Sequence, residues 1–175
     1  MLILGLSSLF KNGTAAALVR DGAIDSALEN YKLQSNVPCG IPEAAIQYCL
    51  SNGGVTWSDI DVIAIAGDPF RGWGRRAFSR RCLSPVASVA TSYQQGKELS
   101  RFAREWTDIR LLRQRLRDTH KVVSLDHHSC HAASAFFLSP FGKALILTLD
   151  GEGDGRGGLL ALGEGSKIRI QDAIS

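Results

Sequence analysis

The stretch DHHSCHAAS, residues 126–134, gathers three of the chain's four histidines and one of its four cysteines. If a helix starts near Asp126 or His127, then His127 and His131 lie one turn apart on one face. Neutral imidazoles at that spacing can both reach a single divalent cation. His128 then points elsewhere. A plainer reading competes: polar residues at a helix start, bonded to backbone, with Asp126 serving the N-terminus. Spacing alone keeps both open.

A second segment, LDGEGDGRGG at 149–158, delivers Asp150 at the end of an apolar run into a stretch with Gly at 151, 153, 155, 157 and 158. Glycines leave backbone N–H groups bare and permit positive φ, as close approach to a phosphate or adenylate requires. Asp150, Glu152 and Asp154 would repel such a ligand unless a cation lies between them. Asp150, Glu152, Asp154 and Gly155 also match the first half of a calcium loop, but its twelfth position is Ala161 rather than Glu and strands flank it. A glycine-rich hairpin turn is the remaining alternative. Two histidines and a carboxylate form a donor set suited to Fe(II), with Zn and Mn as competitors. His127, His131 and Asp150 meet if the helix start and the Asp150 strand end at the same sheet edge, where α/β ligand sites gather. A basic stretch, Arg71, Arg75, Arg76, Arg80 and Arg81 with Trp73 and Phe78 between, could dock a phosphate or a nucleic acid strand. A solvated loop or a surface under a partner domain fits the low net charge better.

The elements that must position these residues follow from apolar patterning. Residues 2–8, TAAALVRDG and AIDSALEN read as three antiparallel strands, with Asp21-Gly22 as a turn. Pro42 opens a helix with apolar Ala45, Ile46, Tyr48 and Cys49, stopped at Gly53-Gly54. DVIAIAG (61–67) reads as a strand buried on both faces. Helix periodicity runs from Leu99 to Leu116. KVVSLD (121–126) is a strand, and the histidine helix runs from there through Phe136 and Phe137. ALILTLD (144–150) is another buried strand, followed by GLLALGEG and KIRIQDAIS. The strand–turn–strand–turn–strand pattern of residues 2–30 thus recurs at 144–175. A duplicated unit of this kind is the layout of the actin and sugar-kinase fold, an α/β, ribonuclease-H-like mixed sheet with flanking helices. The pattern predicts a first subdomain over 1–140 and the opening strands of a second, truncated copy over 141–175.

The chain has 175 residues, 45% apolar and 21% charged, with a net charge of +3. That suits one globular domain and gives no electrostatic case for nucleic acid or an anionic membrane. No segment approaches a spanning helix of about 20 apolar residues. Cys39, Cys49, Cys82 and Cys130 form no CxxC pair, and no signal peptide is visible, so reduced thiols in a cytoplasmic protein are expected.

DHHSCHAASAFFLSPF followed by LTLDGEGDG resembles the O-carbamoyltransferase family that tails antibiotics and nodulation factors, and LGLSS…TAAALVRDG resembles the family's first strand pair. The family is similar in turn to the proteins that make threonylcarbamoyladenosine in tRNA, which share the HxxxH feature. The resemblance implies an actin-like transferase domain ahead of a second domain that makes carbamoyl adenylate from carbamoyl phosphate and ATP. It implies Fe(II) held by His127, His131 and Asp150, with a further aspartate supplied beyond this stretch. It also implies that Asp150, Gly151, Glu152 and Gly153 contact the carbamoyl adenylate, and that a small-molecule hydroxyl is the acceptor. The family's His-Asp pair in the first turn is Lys11-Asn12 here, and its EER…RxKH stretch is ENYKLQSNV, keeping Glu29. No residue before 127 is carried over as catalytic, and His127 and His131, as ligands, are not free bases. A catalytically silent nucleotide- or tRNA-binding scaffold of the same fold is the alternative. Apolar faces in ALILTL and GLLAL with no helix to cover them predict a homo-oligomer.

Overall fold

The computed structural model describes residues 1–7, 14–33, 41–67, 107 and 121–174. The expected helix at 99–116, the basic stretch 71–81 and the Lys11-Asn12 turn lie outside these, apart from Thr107. The chain divides into two compact units, one holding residues 1–66 and 93–124, the other 67–92 and 125–175.

In the first unit, β1 (Leu2–Ser7), β2 (Ala15–Arg20) and β3 (Ala23–Glu29) form the expected antiparallel meander. Asp21 and Gly22 both take positive φ, 50° and 87°, the two-residue turn that a twisted hairpin favours. β4 (Val62–Ala66) adds to β1 in parallel, and β5 (Lys121–Leu125) completes a mixed sheet of order β3-β2-β1-β4-β5. Period-2 alternation sends Leu2, Leu4 and Leu6 inward with Leu18, Ile63 and Ile65. β4 therefore buries one face fully and the other only in part, not both as its unbroken apolar run predicts.

Helix α1 (Glu43–Asn52) covers this face with Ala45, Ile46, Cys49 and Leu50, while Tyr48, expected inward, is exposed. Pro42 stands at its N-cap and offers no side-chain bond. The buried Asn30 does so instead: its Oδ1 accepts from the Ala45 amide at 3.0 Å.

In the second unit, α2 (His127–Phe137) lies on a three-stranded antiparallel sheet of β6 (Lys143–Gly153), β7 (Arg156–Glu164) and β8 (Lys167–Ile174). Ala132 and Phe136, one turn apart, pack with Ile146, Leu159 and Ala161. Gly163 leaves room for the Phe136 ring, since a Cβ there would lie 2.6 Å from it. By packing, α2 thus goes with the strands that follow it, and the break between units falls before it rather than at 140/141. The strand pattern that set 140/141 carries no information about which sheet a helix covers.

β6 is not buried on both faces as its sequence suggests. Ile146 and Thr148 point to the helix, whereas Leu145, Leu147 and Leu149 are 69%, 58% and 69% exposed. No helix among the described residues is long and apolar enough to cross a membrane.

A candidate metal centre at the start of α2

Two carboxylates organise the start of α2. Asp126 is its N-cap, accepting from the Ser129 amide and hydroxyl, both at 2.9 Å. Asp154 reaches the same helix end from the β6–β7 turn, accepting from the His127 amide at 2.8 Å. Arg156 Nη1 lies 3.6 Å from Asp126 and joins the turn to the cap. The plainer reading of these residues is therefore realised: the helix start is polar because it is capped. That does not exhaust the site.

The His127 and His131 rings extend from consecutive turns, and their Nε2 atoms stand 2.9 Å apart. Asp150 Oδ2 is 2.9 Å from His127 Nε2 and 3.7 Å from His131 Nε2. Two imidazole nitrogens and a carboxylate oxygen thus converge on one point. A hydrogen on one nitrogen can be directed at one of the other two atoms but not well at both. A cation between them satisfies all three. Ligands bonded at about 2.0–2.2 Å with right-angle to tetrahedral spread lie about 3–3.5 Å from one another, close to what is seen. Desolvation, then the neighbouring His127, holds the His131 pKa below its ordinary 6.5, which favours the neutral form a ligand needs. Cys130 is outside the convergent group, and burial with the nearby Asp126 and Asp154 pushes its thiol up to about 11.

The glycine-rich segment divides its labour. Asp154 and Gly155, with φ of 52° and 79°, form a two-residue hairpin turn between Gly153 and Arg156. The regular ladder lapses between Leu149 and Gly153, and Asp150 sits in that gap. Gly153 lets the His127 ring approach, since a Cβ there would be 2.1 Å from the imidazole. Gly158 passes against the Thr148 carbonyl. Gly151, exposed, donates its amide to Asp150 Oδ1 at 2.6 Å, and Glu152 continues the β6 backbone. The hairpin turn and close packing thus use glycines that the sequence offers to a phosphate.

Sequence reasoning missed two residues here. Asp154 reads as a candidate cation or phosphate neighbour but caps the helix. His128 is fully buried, with Nδ1 3.1 Å from Thr148 Oγ1 and Nε2 3.1 Å from the Arg156 carbonyl. The spacing His128–Ala132–Phe136, an inward stripe at four-residue steps, is the signal that could have found it.

A five-stranded mixed sheet continuing from a meander, followed by a second meander, defines a ribonuclease-H-like chain of the actin type. YeaZ from Pseudomonas aeruginosa has a similar fold, with a TM-score of 0.50 at 12% identity, over 99% of this chain and 67% of that one. The chain belongs to the carbamoyltransferase family: residues 2–175 match the family described as carbamoyltransferase N-terminus. It is 36% identical over 177 residues to the nodulation protein NolNO of Sinorhizobium fredii, across 95% of this chain and 23% of that protein. It is 30% identical over 172 residues to an uncharacterised protein of Synechocystis, across 95% of this chain and 28% of that one. The chain spans about a quarter of the length of these curated relatives.

Proposed function

We propose that this chain is the acceptor-side portion of an O-carbamoyltransferase whose donor is carbamoyl adenylate, made from carbamoyl phosphate and ATP by a separate adenylate-forming domain. The observation that carries the reading is the convergence of His127, His131 and Asp150 in a chain of this family. The three residues would hold Fe(II), with Zn or Mn as competitors for the same two-nitrogen, one-oxygen set. When bound, the cation supplies Lewis-acid polarisation and a template for the donor.

The chain's own residues supply position. The Asp126 and Asp154 caps fix the helix end from which His127 emerges, and Gly153 sets how near that ring comes to β6. Asp150, Gly151, Glu152 and Gly153 would line the adenylate, with the exposed Gly151 offering the most open approach. In the reaction the acceptor hydroxyl oxygen bonds to the carbamoyl carbon. The bond from that carbon to the bridging oxygen breaks, AMP leaves with its electron pair, and the hydroxyl proton passes to solvent. His127 and His131, as ligands, take no part as bases. The acceptor is a small hydroxyl compound.

The test is AMP release from carbamoyl adenylate generated in situ by a family adenylate-forming domain, with a panel of hydroxyl acceptors. Acceptor-dependent AMP release that His131→Ala and Asp150→Ala abolish, with adenylate formation intact, is the expected result. Nucleotide binding without any acceptor-dependent AMP release in the full-length protein overturns it in favour of a silent scaffold.

A further inference from the structure

The β6–β7 ladder holds register up to Leu149↔Gly158 and resumes at Gly153↔Arg156. Asp150 lies in the interval, so the ladder does not dictate where its carboxylate points. His128 spans the same interval from the helix side. Its ring is fully buried and touches both sides of the lapse: Thr148, two residues before Asp150 on β6, and Arg156, the first residue of β7. A carbonyl only accepts, so the 3.1 Å contact to Arg156 requires hydrogen on Nε2. In the neutral ring Nδ1 then accepts from the Thr148 hydroxyl. The bond to Thr148 is buried and the one to Arg156 partly so, and leaving a buried polar group unpaired is costly. Period 2 along the regular part of β6 places Ile146 and Thr148 on the helix-facing side. His128 and His127 are adjacent in α2, so the same turn that presents one ligand anchors the strand bearing another.

We propose that His128 is a positioning residue that fixes the irregular segment 150–153 and thereby aims Asp150 at His127 and His131. It touches no ligand atom of the cluster. The inference rests on the metal reading for its consequence, but its structural content stands without a cation.

The test uses the full-length protein that carries these residues, with His128→Leu and Thr148→Val, and Phe136→Leu as a control that loosens the same core away from the segment. In metal-free protein, amide hydrogen exchange should speed up locally over residues 149–157 in the first two variants, and diffusely across the second unit in the control. Cobalt(II), followed by its visible bands, should bind about tenfold or more weakly to His128→Leu, as for supporting residues of metal sites. The control should keep wild-type affinity. Should His128→Leu fail to fold, Thr148→Val, which removes one hydroxyl at nearly constant shape, carries both measurements. Local exchange no faster than in the control overturns the proposal, and so does unchanged cobalt affinity despite faster local exchange. Wild-type protein that takes up no cobalt, or takes it up equally in His131→Ala, sinks the metal reading instead, and the exchange data still decide the role of His128.

Discussion

β1–β3 and β6–β8 are both antiparallel meanders with an irregularity between their second and third strands, at Leu18/Val19 and at Leu160/Ala161. They share turn chemistry too, Asp21-Gly22 in one and Asp154-Gly155 in the other. They differ in the first strand of each. β1 pairs with β2 without a break from Leu2↔Arg20 to Ser7↔Ala15 and gives its alternate leucines to a core under α1. β6 loses register before its end and leaves three alternate leucines exposed. A regular ladder aims side chains by its own period and makes a core. An interrupted one must be aimed by something else, and at β6 the residue proposed for that role is His128.

The sharpest way to break this contrast is to truncate equivalent leucines. Leu4→Ala, at a fully buried position, should cost about 2–5 kcal/mol by denaturant unfolding. Leu147→Ala, 58% exposed, should leave stability within error of wild type and instead alter association. We expect the 175-residue chain to be a homo-oligomer by light scattering, since alternate exposed leucines on a strand with no partner on its outer edge among the described residues favour pairing. Replacing Leu145, Leu147 and Leu149 together by Thr should shift it toward monomer. A wild-type chain that stays monomeric at high concentration refutes the association claim.

Next in size is the ligand set itself. Loss of a supporting residue costs a metal site about 10–100-fold, so loss of a ligand in His131→Ala or Asp150→Ala should cost more than that. Iron or cobalt content after dialysis reads this directly, and undiminished iron in His131→Ala refutes the site.

Two glycines of the same sheet then separate core from site. Gly153→Ala drives a Cβ to 2.1 Å of the His127 imidazole, and Gly163→Ala drives one to 2.6 Å of Phe136. Both are overpacking changes, expected to cost about 1–3 kcal/mol. Only Gly153→Ala should also weaken metal uptake, measured at a temperature where both variants are folded. Equal uptake by the two would show that the His127 ring is not positioned by that close approach.

Much of this was legible in the residues. The i, i+4 histidines, the Asp126 cap, the Asp-Gly turn at 21–22 and the first meander all follow from local rules, whereas the meeting of Asp150 with His127 and His131 depends on where β6 lies beside the helix start. The apolar runs at 61–67 and 144–150 were less informative. An unbroken run does not say whether anything covers its second face, and Leu145, Leu147 and Leu149 show that it need not. The glycines of 149–158 were ambiguous for another reason: bare backbone serves a ligand, a positive-φ turn or a close ring equally well, and neighbours distant in sequence decide which. The same holds for His128, whose partners lie 20 and 28 residues away.

The smallest expected effect is a pH dependence. Desolvation and then His127 lower the His131 pKa below 6.5, with Asp150 opposing. The unfolded chain, with an ordinary imidazole, therefore binds more protons than the native one in the interval between the native pKa and 6.5. Stability rises with pH through that window and levels off above about 6.5. Because the His131 side chain is 52% exposed, solvent screens much of the interaction and the slope is shallow. Metal-free wild type should thus lose slightly more thermal stability between pH 7 and 5.5 than His131→Gln, which cannot titrate there. A saturating divalent cation should widen the gap, since protons and metal compete for the same Nε2. The regular meander offers no such handle: Leu4→Ala should lower melting temperature by the same amount at both pH values. Superimposable wild-type and His131→Gln profiles, with and without cation, would mean that the ring neither titrates in this window nor binds metal, and the contrast between the two meanders would then reduce to burial alone.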